Sequence, residues 1–131
     1  MAAAPAVTRE DDTASIALTP IRGVLVATLP PDLDATRFDR LRQRVLEAVA
    51  GSTVRALVLD FSAVDLLGLA EFERARALLR AARLLGTAGA MVSLSPALVL
   101  YLTEVQADTA GVTFFFGLDE ALEHFTAAPA A

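Results

Sequence analysis

A chain of 131 residues is one domain by length and long enough to bury a core. With 11 basic and 16 acidic residues the net charge is −5, so binding to a phosphate backbone is disfavoured and no nucleic-acid partner is expected. A hydrophobic fraction of 55% argues against wholesale disorder, and the lack of cysteine excludes disulfides and thiolate metal sites and suits a cytoplasmic chain.

Residues 1–15 are Ala-rich and polar, contain Arg9-Glu10-Asp11-Asp12 and show no period. They read as a mobile arm ahead of one domain over 16–126, with a short tail at 127–131. No basic region followed by an apolar core marks a secretory signal. Ile16-Ala17-Leu18 suits a short edge strand that Thr19-Pro20 breaks, and Arg22-Gly23 suits a turn into a second strand, Val24 to Leu29. Pro30-Pro31 ends that strand, because proline cannot donate to a ladder. Asp34 is placed to cap a first long helix, with Gly51 past its end. Phe38, Leu41, Val45 and Ala48 mark its buried face and Arg37, Arg40 and Arg44 an exposed one.

Arg55 to Gly86 organises the rest of the chain. Ala56-Leu57-Val58-Leu59 is a continuous apolar run, as expected of a central strand covered on both faces. Residues 61–68 connect it to a helix starting near Leu69, with Phe72, Ala75, Leu79 and Ala82 on one face and Glu73, Arg76, Arg80 and Arg83 on another. Gly86 stops that helix, and Arg83 offsets the negative end of its dipole. Ala88 to Leu94 reads as another strand. Ser95-Pro96 opens a helix to about Gln106, with Leu98, Tyr101, Leu102 and Val105 inward. A last strand is expected over Gly111 to Phe116 and a last helix over Gly117 to Phe125, with Leu118, Ala121, Leu122 and Phe125 on one side.

The order β-β-α-β-α-β-α-β-α implies an α/β fold, a mixed, mainly parallel sheet of about 4–5 strands with about 4 helices. Leu84 to Thr103 carries no charge and is long enough to span a bilayer. Gly86, Gly89, Ser93, Ser95 and Pro96 interrupt it, so a strand followed by a helix is the better reading and no membrane partner is expected.

Few residues suggest chemistry. Asp60 and Asp65 lie at the carboxyl end of the central strand, where open α/β sheets often bind ligands. They could hold Mg²⁺ or act as acid and base, but no third ligand or phosphate-binding glycine loop accompanies them. His124 is the single histidine and has no nucleophile motif beside it. No catalytic residue, metal or cofactor is therefore assigned. The Arg76-Arg80-Arg83 stripe reads as a solvated face or a surface for an acidic partner. Phe114-Phe115-Phe116 puts aromatic rings on both faces of a strand; core burial is the default, and Phe115 is left for a subunit contact only if its face is uncovered.

Leu57-Val58-Leu59-Asp60-Phe61-Ser62-Ala63-Val64-Asp65-Leu66-Leu67 resembles the signature of STAS domains, the fold of bacterial anti-sigma-factor antagonists. In that family an apolar strand leads to Asp-[apolar]-Ser-Gly-Val, an acidic residue, two apolar residues and then Asp-Ser at a helix start, the Ser being the phosphorylation switch. Here Gly68 and Leu69 stand at the last two positions. Ala17 to Val26 resembles the opening of the small stressosome scaffold subunit. Arg83-Leu84-Leu85-Gly86, Leu94-Ser95-Pro96-Ala97, Leu102-Thr103-Glu104 and Gly111-Val112 extend the likeness, which covers about Ala17 to Phe125.

The resemblance implies a non-enzymatic interaction module of partner switching in bacterial stress signalling. Its expected partners are STAS proteins, self or paralogue, and a switch kinase or anti-sigma factor, with a homo-oligomer of at least two copies. The docking surface it implies comprises Ser62, Asp65, Leu66, Leu67, Gly68, Leu69 and Phe72. Leu69 is a degenerate phosphosite, since it has no hydroxyl to modify. Ser62 is the nearest remaining acceptor, although a loop serine more often satisfies backbone groups. A second position, Thr in some scaffold relatives, aligns with Tyr101. The alternative is a STAS-like ligand-binding or transport-accessory domain, which requires a pocket near Asp60 and Asp65.

Overall fold

The computed structural model describes residues 17–127. The arm expected over 1–15 and the tail after Ala127 lie outside the described residues, as does Ile16. Five strands form one sheet in the order β1-β2-β3-β4-β5, comprising β1 (Ala17–Ile21), β2 (Val24–Thr28), β3 (Ala56–Asp60), β4 (Ala88–Val92) and β5 (Thr113–Phe115). The β1–β2 pair is antiparallel and the other three pairs are parallel. Four helices connect or follow them: α1 (Ala35–Gly51), α2 (Leu69–Leu84), α3 (Pro96–Glu104) and α4 (Leu118–Thr126).

The hairpin turns on Arg22 and Gly23, both at positive φ (51° and 86°). That geometry matches the right-handed strand twist and is why a two-residue loop suffices. Thr19-Pro20 does not break β1, which continues to Ile21 with Pro20 opposite Leu25. Counting from the closing pair Ile21–Val24, hydrogen-bonded pairs alternate, so the nitrogen of Pro20 faces away from β2. At a sheet edge, a missing donor on that side costs nothing.

The central strands are buried on both faces, as their unbroken apolar runs require. Alternate residues feed two cores. Leu25, Ala27, Leu57, Leu59 and Met91 meet α1, α2 and α3 on one side of the sheet. Val24, Val26, Ala56, Val58 and Val92 meet α4 and Phe115 on the other. Each helix turns its apolar stripe to the sheet. In α1 the buried residues are Phe38, Leu41, Val45 and Val49, with Ala48 half-buried. In α2 they are Phe72, Ala75, Leu78, Leu79 and Ala82.

The helix ends follow from local chemistry. The Asp34 carboxylate accepts from the Arg37 N–H at 2.8 Å, and Ser95 Oγ accepts from the Leu98 N–H at 3.1 Å. Gly86, at φ 87°, donates to Arg83, and Thr87 donates to Ala82, closing α2 in a Schellman motif. The same pair of bonds closes α3 at Gln106 and Ala107. α3 therefore ends at Glu104 rather than Gln106, and Val105 is exposed instead of inward. β4 stops at Val92, two residues before Leu94, β5 is limited to Thr113–Phe115, and Gly51 lies within α1, whose cap is Ser52.

One side-chain expectation is reversed, and another that was conditional is resolved. Arg76 is not on a solvated face: its side chain is 15% exposed and pairs with Asp108 at 3.3 Å. It also donates to the Ala110 carbonyl at 3.4 Å, because the α3–β5 loop folds back onto α2. Phe115 is the covered aromatic, its ring 5.3 Å from His124 and 6.0 Å from Phe125 of α4. Phe114 and Phe116 are the exposed ones.

Candidate docking surface

The signature loop, residues 61–68, leaves the carboxyl end of β3 and is fastened at several points. The Phe61 N–H donates to the Val92 carbonyl of β4 at 3.0 Å, and the Val64 N–H to Phe61 at 2.9 Å, closing a turn. The Asp60 carboxylate accepts from the Ser62 N–H at 2.9 Å. Asp60 is thus the residue that satisfies the loop backbone, and the Ser62 side chain is left exposed. Phe61, Val64 and Leu67 pin the loop to the core. Between those anchors Ser62, Asp65, Leu66 and Gly68 face solvent, with Leu66 56% exposed.

Two hydrogen bonds tie this loop to α3. Ser95 Oγ donates to the Asp65 carbonyl at 2.6 Å while capping its own helix. The Leu69 N–H donates to the Tyr101 hydroxyl at 3.2 Å. This second bond substitutes for a cap, since Gly68, the N-cap of α2, has no side chain to accept from the first turn. The Glu71 carboxylate folds back over Gly68, where a Cβ would meet it, and a negative charge there suits the positive end of the helix dipole.

Of the residues grouped from sequence, Ser62, Asp65, Leu66 and Gly68 form one exposed surface and Leu69 is half-buried at its edge. Leu67 and Phe72 are buried in the core and offer a partner no surface; they hold the loop in place. Sequence reasoning did not find the contact between positions 69 and 101, which are 32 residues apart and carry no local signal of meeting. Among the described residues no three His, Asp or Glu side chains come together as metal ligands, and no helix is long and apolar enough to cross a membrane.

The sequence profile of the STAS domain matches residues 15–109, and the chain belongs to that family. Solved structures agree in fold. A single-substitution variant of RsbS from Moorella thermoacetica superposes with a TM-score of 0.72 at 22% identity, over 84% of this chain and 93% of that one. A chain from a structure described as the molecular architecture of the stressosome gives 0.68 at 20% identity, over 83% and 95%. The anti-sigma factor antagonist SpoIIAA in its unphosphorylated form gives 0.68 at 13%, over 88% and 99%. No curated protein sequence is significantly similar.

Proposed function

We propose that this STAS domain is a non-enzymatic docking module of bacterial partner switching, cytoplasmic and of stressosome type, that binds its partners without being phosphorylated at the start of α2. Its partners are other STAS domains, whether copies of itself or paralogues, and a switch kinase or anti-sigma factor. The surface offered is Ser62, Asp65, Leu66, Gly68 and Leu69. The domain over 16–126 is the working unit.

One observation carries this reading. Position 69 holds an aliphatic side chain whose backbone N–H is bonded to the hydroxyl of Tyr101. In the family a serine at the position of Leu69 would receive phosphate, adding about −1.5 to −2 charges to the docking surface. Leu69 cannot carry that charge, and Tyr101 replaces the threonine of the second position. The frame around them is retained: the Asp60 turn, the buried anchors and the exposed Leu66 hold the loop in a defined shape. Such a surface remains in the state that, in switched relatives, precedes phosphorylation.

The test is to incubate the full chain with ATP and its cognate switch kinase and map phosphopeptides. No phosphate at position 69 is expected, and modification at Ser62 would mean that a replacement switch exists. In parallel, Leu69→Asp should weaken kinase or anti-sigma-factor binding at least tenfold while leaving the melting transition cooperative. Unchanged binding would remove this loop from the docking surface.

A further inference from the structure

The two edges of the sheet differ. β1 carries Pro20, and Arg22 adjoins its end. Proline and charge are two of the devices by which natural sheets block unwanted strand pairing. β5 has neither: it reads Thr113-Phe114-Phe115 and has no strand on its outer side among the described residues. Beside it, α3 and β5 enclose an open groove of about 610 Å³ that includes Leu94, Val99, Leu102, Thr103 and Phe114. Phe116 borders the groove with 91% of its surface exposed, and Phe114 is 40% exposed. Exposed aromatic rings in such numbers mark an interaction site.

We infer that this face is a two-fold contact between copies of the chain, in which Phe116 of each copy enters the α3–β5 groove of the other. The inference deepens the oligomer part of the proposed function and does not depend on the kinase.

The occupant follows from charge and shape. Among the described residues no charged side chain lines the groove, although the chain carries 16 acidic and 11 basic residues. A basic or acidic peptide would find nothing to pair with, and an anionic lipid surface would find no cation. Two copies of an acidic protein, by contrast, repel unless the surfaces that meet are uncharged. A two-fold contact also requires one patch to complement itself. Here the projecting ring and the cavity that could receive one lie side by side on the same face. The unpaired β5 edges would then adjoin across the axis, satisfying backbone groups that otherwise face water.

Sedimentation equilibrium or native mass spectrometry of the isolated full chain tests this directly. The wild type should give twice the chain mass of 13.8 kDa, and Phe116→Asp should give 13.8 kDa. Thr103→Arg, a charge placed in the groove from an exposed helix position, should also yield the single-chain mass. Leu84→Asp, on an 85% exposed side chain at the end of α2 and outside the groove, should leave the dimer intact. Circular dichroism melts confirm that each variant is folded. A wild type that stays at 13.8 kDa at every concentration, or a dimer that survives both Phe116→Asp and Thr103→Arg, overturns the inference. Because no kinase is present in the test, that outcome leaves the partner-switching reading standing.

Discussion

The two faces that flank α3 are built in opposite ways. On one side the signature loop is held by five hydrogen bonds, Ser62 to Asp60, Phe61 to Val92, Val64 to Phe61, Ser95 to Asp65 and Leu69 to Tyr101, and it exposes a single large apolar side chain, Leu66. On the other side β5 is three residues long and leaves Phe114, Phe116, Val99 and Leu100 in water. A rigid loop with one apolar point selects a partner by shape. A broad uncharged face provides area with little selection beyond its own complement. The first arrangement suits recognition of another protein and the second suits self-association.

The largest effect that bears on this contrast is loss of the core anchor beneath the loop. Phe72, in the first turn of α2, is fully buried in the core that also takes in Phe61, Val64 and Leu67. Phe72→Ala should destabilise the domain by about 3–5 kcal/mol, read as a fall in the urea midpoint. Retention of full stability would mean that α2 is not what holds the loop.

A smaller and more specific effect is expected from Tyr101→Phe. It removes the acceptor for the Leu69 N–H and should cost about 1 kcal/mol, with faster amide exchange confined to the first turn of α2. Unchanged exchange at Leu69 would show that water serves that donor equally well. The smallest effect lies at the far end of α3, where Gln106 closes the Schellman motif at φ 53°. Gln106→Gly relieves that left-handed conformation and should raise stability by about 1 kcal/mol or less. A decrease would mean that the Gln106 side chain, which borders the groove, contributes more than its backbone costs.

Element order, the mixed sheet and most of the core were legible in the sequence, because periods of two and 3.6 residues report which side of an element is buried. Ala56 to Leu59 and the Phe72-Ala75-Leu79-Ala82 stripe show this directly. Helix ends were misread for local reasons, but the errors about Arg76 and Pro20 share another cause: each depended on a segment remote in sequence. Arg76 looked solvated because nothing in α2 reveals that the loop around Asp108 and Ala110 returns to it. Alternation along Phe114-Phe115-Phe116 was visible, but which face was covered depended on where α4 docked. Pro20 looked like a breaker until its place at the sheet edge was known.

The candidate site was legible as a frame and not as a surface. The apolar positions from Leu57 to Leu67 aligned it, yet the same pattern grouped Leu67 and Phe72 with residues that a partner can touch. Separating them required burial, and the link between positions 69 and 101 required the packed fold.

The most direct test of the central claim is affinity capture from lysate of the source organism with three baits in parallel, the wild-type chain, Leu66→Asp and Phe116→Asp, with captured proteins identified by mass spectrometry. The account predicts that a histidine-kinase-like ATPase or an anti-sigma factor is recovered with the wild type and with Phe116→Asp, and is lost with Leu66→Asp. Recovery of membrane-transporter subunits instead, or capture that Leu66→Asp leaves unchanged, would contradict it.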